Sequence, residues 1–202
     1  MRNLYEDFVW FVEIGKKRYS VYPYFNRILQ IYDLQKEAGM TESDVIMLQF
    51  DILTNGKYSV DLKTASKVLE ITFKKITGFK NKKEASSKKY YDFSQDAFLI
   101  YSAFYQAYGI DLNKERDKLH YQAFIALFSC IPKETRFSQI IGIRSCSIPK
   151  ANKYNTEKIQ ELIRLKNEWA LEVSQEEREE NLQKALWSMY EALLKKAGDN
   201  TV

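Results

Sequence analysis

The stretch that decides the fold runs Tyr91-Asp92-Phe93-Ser94-Gln95-Asp96-Ala97-Phe98-Leu99-Ile100-Tyr101 through to Ile140-Ile141-Gly142-Ile143-Arg144. It carries the densest aromatic clustering in the chain, its clearest helix-start and helix-stop signals, and its single histidine, His120. Ser94 is placed to cap a helix, its hydroxyl accepting from the free N–H groups of the first turn. Phe93 and Phe98 take the hydrophobic-staple positions on either side of that cap. Asp96 then suits the positive end of the helix dipole. Ala97, Tyr101, Phe104 and Tyr108 recur at i, i+4, i+7 and i+11, widened by Phe98 and Tyr105. Gly109 follows where a left-handed residue is needed and only glycine is unstrained. A helix over 95–108 is expected. Its aromatic face has two readings. One is core, since burying such a ring contributes ~1.5–3 kcal/mol. The other is a partner-binding face, since aromatics concentrate in interface hot spots. Tyrosines in place of phenylalanines keep the second open, because a buried phenol must find a hydrogen-bond partner.

After the turn Gly109-Ile110-Asp111-Leu112, a second helix is expected over 115–129. Leu119, Gln122, Ala123, Ala126 and Cys130 share one side, and Tyr121, Phe124, Ile125, Leu127 and Phe128 cover most of the rest. A helix apolar nearly all round belongs at the centre of a core. Pro132 ends it, and Thr135 can cap a short third helix through Ile143.

The string Asp92-Phe93, Asp96, Ile100-Tyr101, Phe104, Tyr108-Gly109-Ile110-Asp111-Leu112, then Leu119-His120, Phe124, Leu127, then Thr135, Phe137, Ile140-Ile141 and Arg144 resembles the tail-assembly family named after gene product fifteen of a Listeria siphophage. The resemblance is sharpest over 90–145 and extends loosely to the amino-terminal hairpin and the lysine-rich helix around 156–172. One departure is visible: the family has Leu-His followed by two tryptophans, where Tyr121-Gln122 stand here. Members are encoded in phage or prophage tail modules and resemble chaperones that hold the long tape-measure protein while the tail tube polymerises around it. The resemblance therefore implies the tape-measure protein and other tail-assembly proteins as partners.

Composition sets the remaining bounds. A chain of 202 residues suits one domain or two small ones and can bury ~70% of its unfolded surface. Seven glycines and three prolines argue against a turn-rich all-β fold and against disorder. The formal net charge of +4 is too weak to imply nucleic acid by itself. Cys130 and Cys146 form no framework of spaced pairs, no charged-then-apolar leader is visible, and no run reaches the ~18 apolar residues of a membrane span. No membrane association is expected. The expected compartment is the interior of the bacterial host, its cytoplasm, with both thiols reduced.

Elsewhere the chain reads as follows. Phe8 to Tyr22 has the β-branched, aromatic alternation of a hairpin turning at Gly15-Lys16-Lys17. Two strands alone are marginal, so they must pack on a helix or pair with another copy's edge, which would make a homo-oligomer. Phe25, Ile28, Leu29 and Tyr32 mark a helix with Gly39 past its end. Thr41-Glu42-Ser43-Asp44 resembles a capping box and opens a helix to about Leu53, and Asn55-Gly56 is a turn. A helix over 61–77 places Leu62, Ala65, Leu69, Thr72 and Ile76 on one face, joined by Val68 and Phe73, before Gly78. Residues 79–90 lose all apolar periodicity and hold Lys80, Lys82, Lys83, Lys88 and Lys89, the best linker in the chain. Beyond Arg144, a helix over 155–173 carries Ile159, Leu162, Ile163 and Trp169. Ser174-Gln175-Glu176-Glu177 caps a last helix to Lys196 whose stripe includes Leu182, Ala185, Leu186, Met189 and Leu193. Leu182, Leu186, Met189 and Leu193 are the candidate partner contacts, since an apolar face at this spacing fits a groove or a neighbouring helix.

The fold class expected is mainly α, a multi-helix bundle with a small N-terminal β-hairpin. The division expected is 1–78, a linker at 79–90, and 91–202. No catalytic constellation, cofactor motif or metal-ligand spacing is legible. His120 sits among apolar residues and reads as a satisfied structural histidine. His120, Cys130 and Cys146 lack a zinc spacing. Asp92 and Asp96 fall at a helix start, where caps and dipole account for both. No phosphate loop or nucleophile elbow is present. The expectation is a non-enzymatic tail-assembly chaperone that binds no nucleic acid. The alternatives are a structural tail or tail-initiator component of the virion, and a nucleic-acid-binding helical protein that uses the lysine linker.

Overall fold

The computed structural model describes residues 8–34, 39–77, 89–150, 152 and 154–172. The chain divides into two compact units, Met1–Ser145 and Cys146–Val202. The first opens with an antiparallel hairpin, β1 (Phe11–Ile14) and β2 (Lys17–Ser20), in register Phe11 to Ser20 and Val12 to Tyr19. Gly15 takes the positive φ of 61° that the tight turn demands. Alternation does the rest: Val12 and Tyr19 point inward and are buried, while Arg18 lies over the outward ring of Phe11 at 3.4 Å. Strand β1 packs on the helix Leu62–Thr77 of the same unit, which is one of the two ways such a hairpin can be stabilised.

This unit holds six helices among the described residues: α1 (Phe25–Leu34), α2 (Glu42–Thr54), α3 (Leu62–Thr77), α4 (Ala97–Tyr108), α5 (Tyr121–Ser129) and α6 (Arg136–Ser145). Helix α2 starts where the capping box places it, Thr41 Oγ1 accepting from the Asp44 N–H at 3.2 Å. Thr135 likewise accepts from the Ser138 N–H at the start of α6. The core is aromatic at its centre. Phe124 of α5 lies 5.0 Å from Phe25, 5.1 Å from Phe104 and 6.0 Å from Phe93, ring centroid to ring centroid. Around these rings Ile28, Ile31, Phe50, Leu53 and Val68 are fully buried. The fold is therefore mainly helical with an N-terminal hairpin, as the sequence indicates.

Five local expectations are corrected. Helix α4 begins at Ala97 rather than 95, and Ser94 does not cap it. Asp92 takes that place in the preceding turn, accepting from the Ser94 and Gln95 N–H groups, while the Ser94 hydroxyl donates to the carboxylate of Asp33 in α1. The staple is also absent: Phe93 packs against Phe124 and Phe128, and Phe98 faces out. The second helix starts at Tyr121, not 115, because Asp117 is held at φ 53°. Asn26 Oδ1 accepts from its N–H, and Arg27 Nε reaches its carboxylate at 2.6 Å. A residue pinned in the left-handed region stops a right-handed helix from passing through it. Helix α5 also buries only Tyr121 and Phe124, with Ala126 and Ser129 exposed, so one face and not several enters the core. Finally, Leu62 at the first turn of α3 is 40% exposed and stands outside that helix's core stripe.

The second unit contains α7 (Thr156–Glu168), which ends at Trp169 rather than running to 173 and buries no residue. Asn152 and Asn155 build the turn before it, the Asn152 N–H donating to Asn155 Oδ1 at 2.7 Å. Lys166 Nζ donates to the Cys146 carbonyl at 2.6 Å, returning the helix to the start of its own unit. The expected helix over 174–196, the contact residues Leu182, Leu186, Met189 and Leu193 on it, Gly78, and Lys80, Lys82, Lys83 and Lys88 of the linker lie outside the described residues.

Candidate functional site

His120 occupies a structural position. It is the N-cap of α5, with Nδ1 accepting from the Gln122 N–H at 3.1 Å. That bond leaves Nε2 3.4 Å from the Val9 carbonyl, so a neutral ring protonated at Nε2 satisfies both sides. Phe8 stacks on the ring at 4.4 Å and Trp10 meets it edge-on at 5.1 Å. The backbone on either side is tied down as well: the Phe25 N–H donates to the Leu119 carbonyl and the Tyr121 N–H to the Pro23 carbonyl. The imidazole is 3% exposed and holds the amino-terminal segment onto α5.

The polar pair that sequence reasoning missed is Asp96 with Arg144. Two charge-assisted bonds join them, Nη1 to Oδ2 at 2.7 Å and Nη2 to Oδ1 at 2.9 Å, and the side chains are 3% and 10% exposed. Arg144 also donates to the Tyr90 carbonyl, and the Asp92 N–H donates to Asp96. The arrangement fastens the start of α4 to the end of α6. Asp96 therefore serves a buried ion pair and not the helix dipole alone. Burial pushes the phenols of Tyr32 and Tyr121 up, and the two side chains are hydrogen-bonded to each other. These are structural polar contacts. Among the described residues no group of His, Cys, Asp or Glu side chains is arranged to hold a metal ion, and Cys130 and Cys146 are free and exposed.

What the described surface offers is apolar. Helix α4 buries Ile100, Ala103 and Phe104, so its core face is turned from the one that Ala97, Tyr101 and Tyr108 outline. The turn leaves Phe98 79% and Tyr105 58% exposed on the outer side. Tyr101 lies between them, stacked with Tyr105 at 6.5 Å and donating to Asp111 at 3.3 Å. Its phenol is pushed up by burial first and by the Asp111 carboxylate second. None of the twelve residues of α4 carries a charge. Phe104 is thus core, and Phe98 and Tyr105 are open.

A second aromatic row follows the hairpin and the chain after it. Trp10 meets Tyr24 edge-on at 5.8 Å, and Tyr24 stacks with Tyr22 at 6.3 Å. Here cations already cover the rings. Arg27 lies 5.6 Å from the Tyr24 centroid, and Lys57 lies 4.7 Å from that of Tyr22, whose hydroxyl it also contacts. That contact raises the Lys57 ammonium above its ordinary value. The α4 face has no such cover in its own sequence. No described helix is long and apolar enough to cross a membrane.

No curated protein and no solved structure matches the chain. The family described as bacteriophage Gp15 protein does, over residues 4–171. That span takes in the hairpin, the His120 cap, the Asp96–Arg144 pair and the open face of α4 together. With the match covering both the elements that build the fold and the surface it leaves exposed, the chain is a phage protein and belongs to the bacteriophage Gp15 protein family.

Proposed function

We propose that this chain is a tail-assembly chaperone that binds the tape-measure protein during phage or prophage tail morphogenesis, in the cytoplasm of the bacterial host. It does so by hydrophobic capture and carries out no reaction. The observation that carries the reading is a face of α4 with Phe98 79% and Tyr105 58% exposed, in a member of a phage family. A long helix-forming chain left bare in the cell presents an apolar stripe that aggregates. A partner that covers the stripe favours its unassembled form by mass action, until tube subunits displace it. Other tail-assembly proteins meet the chain through the same complex.

The test is co-expression with the tape-measure protein of the same phage or prophage. The expected result is a complex that survives affinity purification and size-exclusion chromatography, with the chain absent or sparse in finished particles. Two soluble proteins that elute separately overturn the reading. Many copies per particle by mass spectrometry replace it with a structural tail or tail-initiator role.

A further inference from the structure

We propose that the outer edge of β1 is a self-association surface. β1 of a second copy of this chain pairs with it antiparallel across a two-fold axis, Val12 opposite Val12, and the two hairpins make one four-stranded sheet. This stands apart from the tail-assembly reading and does not depend on what else the chain binds.

The hairpin's own hydrogen bonds decide which backbone groups face outward. In an antiparallel pair, bonded and non-bonded residue pairs alternate. The Val21 N–H donates to the Trp10 carbonyl, so Trp10 with Val21, Val12 with Tyr19 and Ile14 with Lys17 are the bonded pairs. Phe11 with Ser20 and Glu13 with Arg18 are then the non-bonded ones, and their N–H and C=O groups point away from the partner strand. On the β2 side this edge is covered. The Ser20 N–H donates to the Tyr58 hydroxyl at 2.9 Å, and further on the Tyr22 N–H donates to the Leu53 carbonyl at 2.8 Å. On the β1 side only the near end is covered, where the Val9 carbonyl lies 3.4 Å from His120 Nε2. The N–H and C=O groups of Phe11 and Glu13 have no hydrogen-bond partner among the described residues. Nor does β1 carry the lysine, the proline or the bulge that ordinarily protects an edge strand.

Register and charge select a second copy as the occupant. Phe11 set opposite Phe11 would bring Glu13 against Val9, whose carbonyl His120 already engages. Glu13 set opposite Glu13 would place two carboxylates side by side, which is destabilising. Val12 opposite Val12 bonds Phe11 of each copy to Glu13 of the other and uses every one of the open N–H and C=O groups. The same register answers a charge. Glu13 and Arg18 stand opposite each other in the hairpin, yet no ion pair joins them, and the guanidinium lies instead over the Phe11 ring at 3.4 Å. Across the axis, the Glu13 carboxylate of one copy comes beside the Phe11 ring of the other, and so beside the Arg18 cation resting on it. An unrelated extended segment would satisfy the backbone, but nothing would fix a carboxylate across from Phe11. The chain's own β1 carries one at that position. Phe11, 39% exposed, gains cover in the same step, and a sheet of two strands, marginal by itself, becomes one of four.

The test is sedimentation velocity of the full chain over a range of concentrations, with amide exchange by NMR as the second readout. The expected result is a monomer–dimer equilibrium in which the Phe11 and Glu13 amides gain protection as the dimer fills. E13P removes one outward N–H and costs the hairpin no bond of its own, and it should weaken the dimer at least roughly tenfold. E13R and R18E each bring like charges together across the axis and should do the same. Glu13 and Arg18 are both exposed, so thermal melts of the charge variants should match that of the unaltered chain. An equimolar mixture of E13R and R18E pairs every reversed charge with its opposite and should restore the dimer, which no effect confined to one chain can do. A chain that stays monomeric at every concentration overturns the proposal. So does a dimer that E13P and E13R leave unchanged, or a mixture of the charge variants that stays apart. Protection of Phe11 and Glu13 that appears only when the tape-measure protein is added assigns the edge to that partner and overturns self-pairing.

Discussion

Replacing Arg144 by methionine tests the account of the α4–α6 joint most severely. The perturbation keeps an unbranched, apolar stem of similar reach and removes the guanidinium. Asp96, 3% exposed on its side chain, then loses both charge-assisted bonds, at 2.7 and 2.9 Å, and keeps only the Asp92 N–H. The Tyr90 carbonyl loses its bond as well. Removing one partner of a buried ion pair costs ~3–5 kcal/mol, because an uncompensated charge stays behind. An exposed pair would cost only ~0–1 kcal/mol, so the two descriptions are well separated. Against a total stability of ~5–15 kcal/mol, the loss is large. At ~2–4 °C per kcal/mol for a chain of this size it lowers the melting temperature by roughly 6–20 °C. Urea unfolding followed by far-UV circular dichroism measures it. The companion variant D96L/R144M removes both charges and should recover most of the loss, since an apolar pair of similar volume is tolerated in such a place. A cost below ~1 kcal/mol for R144M would falsify the buried-pair account. A double variant no better than the single would show that the hydrogen bonds to Tyr90 and Asp92, and not the stranded carboxylate, carry the effect.

The other predictions concern separate parts of the molecule. H120A removes the cap of α5 together with a stacked ring, so it should cost ~1–2 kcal/mol or more and raise amide exchange at Val9, Trp10 and Gln122 by hydrogen-exchange mass spectrometry. T41A should cost ~1 kcal/mol, read by the same urea titration, because only one N–H at an exposed helix start loses its acceptor. F124A, at the centre of the aromatic core, should cost ~3–5 kcal/mol, and F98S on the open face less than ~0.5 kcal/mol. Burial raises the Tyr121 phenol above its unfolded value of ~10. The folded form thus holds that proton more tightly than the unfolded chain does. Its contribution is complete below pH ~10 and is lost as pH climbs through the folded value. Ultraviolet titration of the tyrosines should show a late fraction that ionises together with unfolding, and Y121F should remove part of it.

The elements legible in the sequence were those whose signals are local. Thr41 and Thr135 cap as their positions suggest, and Gly15 and Gly109 take the left-handed geometry at the turn and helix end where they stand. What could not be read has two causes. Residues 97–108 are apolar or aromatic nearly all round, so spacing does not select a face, and Phe98 was placed inward when it faces water. The rest depends on residues far apart in the chain. Glu115-Arg116-Asp117-Lys118 is good helix-forming sequence, but Asn26 and Arg27 hold Asp117 in a conformation that no helix permits. The Asp96–Arg144 pair spans a separation of 48 residues, and a carboxylate at a helix start carries no mark that distinguishes a surface cap from a buried anchor. Only the packing of Ile100 and Ala103 shows which side of α4 enters the core.

The tie between Val9, just before the first strand, and His120 has a kinetic consequence. The bond from the imidazole to Val9 closes a loop of 111 residues, and the pairing of Tyr24 with His120 closes one nearly as long. Synthesis runs at ~5–20 residues per second, so roughly 5–20 s pass between emergence of residue 25 and of residue 121. Throughout that interval Val9 and Trp10 have no His120 to rest against, and Phe25 has no Phe124. Maturation of the amino-terminal half therefore waits on translation of the middle of the message. Ribosome-stalled chains cut before residue 120 should be cleaved readily near Trp10, and chains extended past Cys130 should resist.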